Sequence, residues 1–423
     1  MYKKTVLPNR ARVVTHEMKG RDSISLGIWL GVGGRYENKK NKGAAHFLEH
    51  ILFKGSKNYS CSAIKELIEG VGGSLNAFTA EEYTCYYAKI PSKHLDRTFD
   101  ILSDMVFSPL ISKKDVDKER TVILEEIKMY HDLPQHFVID LLEELMWTDH
   151  PLGMNIAGTL ESVGAMTEEG LRGFHRAHYA LENMVVAACG RLSHGHLVDL
   201  TRKKSTLVKE ATKQNFLPAH DSQSKPKVKF FRKDIEQMHL ALGLFGLKED
   251  HKDRHAYALL NIILGANMSS RLFNEVREKR GLAYAIASAA KSLKDTGLFL
   301  IRAGVDNKKI VEAVDVILKV LQRIRRENVT KDEFTRARDY YQGQILLALE
   351  DTLDHMFWIG ESTTSLDKTR TLKQILNELK KVTAADVRRV ANDVLKETHA
   401  NLAIVGPLKD EQEKRLSDLM GAG

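Results

Sequence analysis

The chain of 423 residues carries one sequence pattern twice, and this internal repeat limits its possible folds more than any other feature. Thr167 and Gly190 in the first half recur as Thr383 and Gly406 in the second half, both at the same offset. The residues that surround these positions are similar as well. Two independent landmarks at one offset indicate a duplicated domain.

Each copy combines strand-like and helix-like patterns. Apolar residues alternate from Ile24 to Leu30 and again from Met238 to Leu244, which is the period of a half-buried strand. Helical spacing marks the stretches from Lys93 to Val106 and from Ser112 to Tyr130. We therefore predict an α+β fold made of two duplicated domains.

A change of composition separates the two copies. The stretch from Lys209 to Lys227 is rich in Lys, Ser, Thr and Pro and has little periodicity, which is typical of a linker. We assign residues 1–212 to the first domain, residues 213–226 to the linker and residues 227–423 to the second domain.

The first copy contains the motif His46-x-x-Glu49-His50 within a short apolar helix. Histidines four residues apart lie on one helix face, so two ring nitrogens can reach a single point. This order is the inverted form of a zinc-peptidase motif, in which the histidines bind zinc and the glutamate is the general base. The motif alone is only moderately specific, and a histidine-bearing core helix remains the alternative. The matching positions of the second copy are apolar, namely Ala256, Leu259 and Leu260.

A catalytic zinc ion needs three protein ligands and an open position for water. The predicted helix from Ser112 to Tyr130 offers three glutamates beside apolar residues: Glu119, Glu125 and Glu126. Glu119 and Glu126 are seven residues apart and share one helix face. A glutamate on a charged helix is usually a solvated side chain, so the pattern by itself leaves the third ligand open.

Composition restricts the other classes of function. The net charge of +8 comes from scattered basic residues without a nucleic-acid motif, so we expect no nucleic-acid partner. No apolar run approaches the ~20 residues that cross a bilayer, and no export signal is recognised, so we expect no membrane partner. The three cysteines are odd in number and far apart, which argues against disulfides and favours the cytoplasm.

The motif His46-Phe47-Leu48-Glu49-His50, followed by Glu126, resembles the pitrilysin/insulinase family of zinc metallopeptidases, and the resemblance covers nearly the whole chain. It implies one zinc ion per chain, bound by His46, His50 and Glu126, with Glu49 as general base and Glu119 in a supporting role. Glu125 points about 100° away from Glu126 on an ideal helix and is the weaker candidate. The resemblance also implies that each domain is a mixed, mostly antiparallel sheet covered by helices, and that the chain forms half of a clamshell.

The segment Gly72-Gly73-Ser74-Leu75-Asn76-Ala77-Phe78-Thr79-Ala80 is similar to the family's active-site edge strand, which binds the substrate backbone as an added strand. The resemblance implies that Asn76, Ala77 and Phe78 bind substrate. Asn76 would reach the peptide backbone, and Phe78 would shape a side-chain pocket. An ordinary strand remains the alternative.

The second copy also resembles the family, in the segment from Ser269 to Tyr284. The family carries there an arginine and a tyrosine, seven residues apart, that contact the substrate and the developing oxyanion. Arg277 and Tyr284 have this spacing, and Arg280 is a weaker alternative. Long members of the family place these residues on the half of the clamshell opposite the zinc. The resemblance therefore implies a homodimer, or a heterodimer with a related subunit, in which Arg277 and Tyr284 complete the other subunit's site.

The predicted activity is that of a zinc-dependent endopeptidase or oligopeptidase, which cleaves unstructured peptides inside a chamber formed by two subunits. One alternative is a non-catalytic subunit of a heterodimer, although such subunits typically lack part of the metal motif. Another is a presequence-processing enzyme, which recognises arginine through two acidic residues after the third ligand. The matching positions here are His136 and Asp140, so one acid is absent and a general oligopeptidase is favoured.

Overall fold

A computed structural model describes residues 2–206 and 215–422 of the chain. These residues form eleven strands and fifteen α-helices. The strands are β1 (Tyr2–Val6), β2 (Arg12–Glu17), β3 (Ser23–Leu30), β4 (Ser74–Thr79), β5 (Thr84–Pro91), β6 (Met184–Gly190), β7 (Lys227–Arg232), β8 (Gln237–Phe245), β9 (Ala283–Ser292), β10 (Gly297–Asp306) and β11 (Asn401–Gly406). The helices are α1 (Ala44–Leu52), α2 (Cys61–Glu69), α3 (Leu95–Phe107), α4 (Lys113–Asp132), α5 (Pro134–Met146), α6 (Leu160–Gly164), α7 (Glu168–His178), α8 (His194–Ser205), α9 (Arg254–Leu264), α10 (Ile310–Arg326), α11 (Lys331–Ala348), α12 (Thr352–Leu366), α13 (Leu372–Leu379), α14 (Ala384–Val394) and α15 (Asp410–Met420). A π-helix spans Phe273–Glu278.

The chain divides into two compact units, each of which is discontinuous in sequence. The first unit consists of residues 1–128, 155–217 and 346–372, and the second of residues 129–154, 218–345 and 373–423. Each unit therefore includes a segment from the other half of the sequence. The predicted domain end at 212 and the first two residues of the predicted linker 213–226 lie outside the described residues, and these boundaries stay a prediction.

The first unit is built on a six-stranded sheet with the order β1-β2-β6-β3-β5-β4. The β2–β6 pair is parallel and the other pairs are antiparallel. One face packs against α1 through fully buried side chains such as Leu26, Phe47 and Leu48. The other face is covered by α12, where a Cβ on Gly360 would lie 2.2 Å from Nε1 of Trp29, so only glycine allows this close approach.

The second unit is built on a five-stranded sheet with the order β7-β11-β8-β10-β9, in which only the β7–β11 pair is parallel. Helices α9, α10 and α14 bury one face, with Leu259 and Val390 in the core. Helix α5 covers the other face and contacts β8 through Leu142 and Met146. The two sheets confirm the predicted α+β class, and both are mostly antiparallel.

The repeat in the sequence corresponds to a repeat of local structure. Thr167 and Thr383 cap α7 and α14, because each hydroxyl accepts a hydrogen bond from a backbone N–H in the first turn. Gly190 and Gly406 end the central strands β6 and β11 with φ angles of +130° and +158°. A side chain rarely adopts such angles, which explains why both copies have glycine there.

Two further observations concern the whole described chain. None of its described helices has the length and the apolar composition that crossing a bilayer requires. The three cysteines, Cys61, Cys85 and Cys189, are unpaired.

Candidate metal centre

Helix α1 has one apolar face and one face that carries the metal motif. Phe47, Leu48 and Ile51 are buried in the core of the first unit, and this anchors the helix. The helix begins after Gly43, where the buried carboxylate of Glu37 accepts hydrogen bonds from the backbone N–H groups of Gly43 (3.0 Å) and Ala45 (2.7 Å). A carboxylate at this end also interacts favourably with the helix dipole. Burial of the apolar face leaves the motif side chains pointing to the opposite, half-buried face.

Helix α4 supplies the third side chain of the cluster. Its buried stripe contains Val116, Glu119 and Ile123, spaced by three and four residues. Glu126 continues the stripe three residues after Ile123, and its side chain is 24% exposed. Glu125 lies off the stripe: its side chain is 67% exposed and pairs with Lys128 at 2.7 Å. The packing of Ile123 therefore directs Glu126, and not Glu125, toward α1.

His46, His50 and Glu126 form a compact group of ligand atoms, all within 4.8 Å of one another. The Glu126 Oε2 atom is 3.9 Å from His46 Nε2 and 3.5 Å from His50 Nε2. A tetrahedral zinc ion with bonds of about 2.1 Å separates its ligand atoms by about 3.4 Å. The donor set of two imidazoles and one carboxylate is also a common one for catalytic zinc. These residues therefore fit zinc in both chemistry and spacing.

The electrostatics of the cluster favour deprotonated ligands at two of its three positions. Burial, together with the neighbouring His50, lowers the pKa of His46 to about 4. A hydrogen bond from His50 lowers the pKa of Glu126. Burial lowers the pKa of His50, but hydrogen bonds with Glu126 and Glu119 outweigh burial and raise it. An imidazole must be deprotonated at the nitrogen that binds a metal ion, so metal binding competes with a proton at His50.

Glu119 supports the cluster through His50. Its carboxylate is 3% exposed, lies 3.3 Å from His50 Nδ1 and accepts a hydrogen bond from Lys54 Nζ at 2.7 Å. Histidines that bind metals usually donate their second N–H to such a carboxylate, which orients the ring. By contrast, Nδ1 of His46 is buried and has no hydrogen-bond partner among the described residues.

Glu49 lies between the two histidines in sequence, and its carboxylate is held by a residue that the sequence analysis did not select. The hydroxyl of Thr79, the last residue of β4, donates a hydrogen bond of 2.6 Å to Glu49 Oε2. Burial raises the pKa of Glu49. Thr79 shares a strand face with buried Ala77, but this alternation does not indicate which side chain Thr79 contacts.

Strand β4 is the edge strand of the first sheet, next to β5. Asn76 is exposed, and its side-chain oxygen accepts a hydrogen bond from the N–H of Ala77 at 2.8 Å. Phe78 lies on the same strand face as Asn76, and its ring lies edge-on to Trp29 at 5.7 Å and to Phe357 at 5.6 Å. Of the three predicted substrate residues, Asn76 is therefore the most accessible.

Arg277 and Tyr284 belong to the second unit and lie close to each other. The guanidinium carbon of Arg277 is 4.8 Å from the ring centroid of Phe273 and 5.5 Å from that of Tyr284. Tyr284 is 76% exposed. Arg280 is engaged elsewhere, because its guanidinium donates to the Glu275 carboxylate at 2.6 Å. Arg277 therefore lies beside Tyr284, whereas Arg280 is paired with Glu275.

Comparison with protein families matches both halves of the chain. Residues 12–160 match the insulinase family (peptidase family M16), and residues 165–341 match the peptidase M16 inactive domain. A protein named as an uncharacterized zinc protease in Streptomyces coelicolor is 39% identical, over 98% of this chain and 92% of its own length. A second one, from Bacillus subtilis, is 33% identical over 96% of this chain and 98% of its own length.

Solved structures show the same fold. A protease from Helicobacter pylori has a TM-score of 0.90 at 22% identity, over 96% of this chain and 99% of that one. A peptidase M16 inactive domain from Pseudomonas fluorescens has a TM-score of 0.89 at 19% identity, over 97% of this chain and 98% of that one. At these identities the likeness concerns the fold alone.

Proposed function

Because the chain belongs to the insulinase family of peptidases, family M16, we propose that it is a zinc-dependent endopeptidase or oligopeptidase. Its substrates would be unstructured peptides, cleaved inside a chamber that two subunits form. The observation that carries this proposal is the cluster of His46, His50 and Glu126 beside Glu49, with spacing that fits zinc. The presence of the whole motif favours a catalytic subunit over a non-catalytic one.

In this proposal His46, His50 and Glu126 hold one zinc ion per chain. The chemistry that zinc supplies when bound there is a water ligand with its pKa lowered to about 7 and a polarised substrate carbonyl. Glu49 accepts the proton of the attacking water and passes it to the leaving amine. Glu119 keeps the ring of His50 oriented through its contact with Nδ1.

The edge strand β4 binds the peptide backbone. An edge strand has unpaired N–H and C=O groups on its outer side, and a peptide that pairs with them is held regardless of its sequence. In the proposal Asn76 turns from the Ala77 N–H to the peptide backbone, and Phe78 borders the side chain of one substrate residue. Folded proteins lack a free extended segment, which is why unstructured peptides are the proposed substrates.

Arg277 and Tyr284 of one subunit complete the site of the other in the proposed homodimer, or in a heterodimer with a related subunit. Both side chains carry hydrogen-bond donors, and Tyr284 is largely exposed. A well-placed donor to the developing oxyanion contributes about 2.7–4 kcal/mol to catalysis. Sedimentation of the purified chain with peptidase assays on the same fractions tests the dimer, and an active monomer would contradict it. The proposed compartment is the cytoplasm, supported by three unpaired cysteines.

The test of the peptidase proposal uses the zinc-loaded chain and an unstructured peptide. The wild type should cleave the peptide, and a chelator should abolish cleavage. Glu49→Gln should keep its zinc but lose turnover by about 10²–10⁴-fold, because the amide cannot accept the proton. Glu125→Gln, on the exposed side of α4, should retain both zinc and turnover. Full activity of the Glu49→Gln variant would refute the role of Glu49, and a zinc-loaded wild type without activity would favour the non-catalytic alternative.

A further inference from the structure

We propose that Thr79 is the positioning residue for Glu49, and that its hydroxyl determines which oxygen of this carboxylate is the base. The inference rests on the proposed peptidase function and adds a residue to it. Thr79 Oγ1 lies 2.6 Å from Glu49 Oε2. This is a short hydrogen bond for a hydroxyl donor, and such a bond is stronger when the carboxylate is ionised.

The hydrogen bond leaves one oxygen of Glu49 available. Among the described residues, Thr79 is the only hydrogen-bond partner of the Glu49 side chain, and it contacts Oε2. The Oε1 atom therefore retains its lone pairs for the proton of the attacking water. A glutamate side chain has three rotatable bonds, and ordering it costs conformational entropy. The bond to Thr79 selects one arrangement in advance of the reaction, so less ordering remains for the catalytic step.

Thr79 is itself held firmly. It pairs with Thr84 across the β4–β5 ladder. Thr84 is fully buried, and its hydroxyl donates to the carbonyl oxygen of Val32 at 2.9 Å. A β-branched side chain in a strand also has few allowed rotamers. The donor therefore has a defined position, which a positioning residue requires.

The place of Thr79 in the fold gives this contact a second consequence. The residue ends the edge strand that binds the peptide backbone in the proposed function, and β4 contacts α1 directly. One hydrogen bond thus fixes the base on α1 relative to the strand that sets the register of the substrate. Misplacing a catalytic group by 1 Å can lower a rate by about 100-fold. We therefore expect loss of the Thr79 hydroxyl to lower kcat by about 10- to 100-fold.

The experiment compares Thr79→Val, which removes the hydroxyl but keeps the branched shape, with Thr79→Ser, which keeps the hydroxyl. Thr79→Val should lower kcat by about 10- to 100-fold while KM changes less than about twofold, because ground-state binding is untouched. Thr79→Ser should restore most of kcat. Both variants should bind as much zinc as the wild type. Thr121→Val, which removes an exposed threonine hydroxyl on α4, is the matched control and should behave as wild type.

A double-mutant cycle shows whether Thr79 acts through Glu49. In a Glu49→Gln background, Thr79→Val should cause no further loss of the residual rate. The proposal would be overturned if Thr79→Val lowered this residual rate by as large a factor as it lowers kcat in the wild-type background. It would also be overturned if the Thr79→Val single variant had an unchanged kcat or did not bind zinc. A zinc-loaded wild type without peptidase activity would overturn the proposed function and this inference together. An active wild type with a fully active Thr79→Val variant overturns only the role of Thr79.

Discussion

Replacing Glu119 by glutamine should weaken zinc binding without unfolding the protein. The side chain is 3% exposed, and its carboxylate lies 3.3 Å from His50 Nδ1 and 2.7 Å from Lys54 Nζ. Glutamine has nearly the same shape, so the substitution changes mainly the charge. The side chain of Lys54 is 31% exposed and its ammonium can turn toward water, so no buried charge is left alone.

The expected magnitude follows from the position of Glu119 behind His50. Removing a hydrogen-bond partner of a metal-binding histidine typically lowers metal affinity by about 10- to 100-fold, equal to about 1.4–2.7 kcal/mol. The carboxylate also contributes a negative charge near a divalent ion, and the neutral amide does not. Both effects lower the zinc affinity of Glu119→Gln, so we expect a loss of affinity in the upper half of this range.

The assay is competition for zinc between the protein and a fluorescent chelator of known affinity at neutral pH. Thermal unfolding of the metal-free variants shows whether the fold is intact. Glu125→Gln is the control, since it makes the same change of charge on the same helix at a side chain that is 67% exposed. Unchanged affinity in Glu119→Gln, or an equal loss in both variants, would refute the assignment of Glu119.

Two further predictions concern the second unit. Glu49→Gln and Arg277→Ala chains should each be inactive alone and should regain peptidase activity when they are mixed. The reason is that one of the two sites in a mixed dimer then has both native residues. If a mixture shown to form mixed dimers stays inactive, the sites are not shared. Hydrogen bonds from Arg280 and Lys279 hold the pKa of Glu275 at about 2, below the usual value for a glutamate. Because the folded-state pKa is lowered, Glu275 stabilises the fold above about pH 4.3 and loses this effect as the pH falls through about 2. Glu275→Gln should therefore lower the free energy of unfolding by about 1–2 kcal/mol at pH 7 and by close to nothing near pH 2, as measured by urea unfolding. The figure at pH 7 is reduced to allow for solvent screening of the exposed cations.

Local patterns in the sequence predicted the features that depend on neighbours along the chain. The alternation from Ile24 to Leu30 is β3, and the helical spacing from Ser112 to Tyr130 is α4, shifted by one or two residues at its ends. The spacing of His46 and His50 places two imidazoles on one face of α1. Such features follow from the periods of helices and strands, which any short segment expresses by itself.

The tertiary structure decided what depends on segments that are distant in sequence. The sequence already favoured Glu126 over Glu125 and Arg277 over Arg280. The structure adds that Ile123 is buried on the same stripe as Glu126 and that Arg280 pairs with Glu275. The exchange of segments between the two units also had no local signal, because α5 and α12 are amphipathic helices whose partners are sheets elsewhere in the chain.

For the candidate site itself, the sequence predicted which residues belong to it, and the structure shows how their side chains are held. His46, Glu49 and His50 are recognisable from one turn of helix. The contact of Thr79 with Glu49 joins a strand to a helix across 30 residues, and no periodicity within either element encodes it. Packing of α1 against β4 creates that contact, which is why only the tertiary structure revealed it.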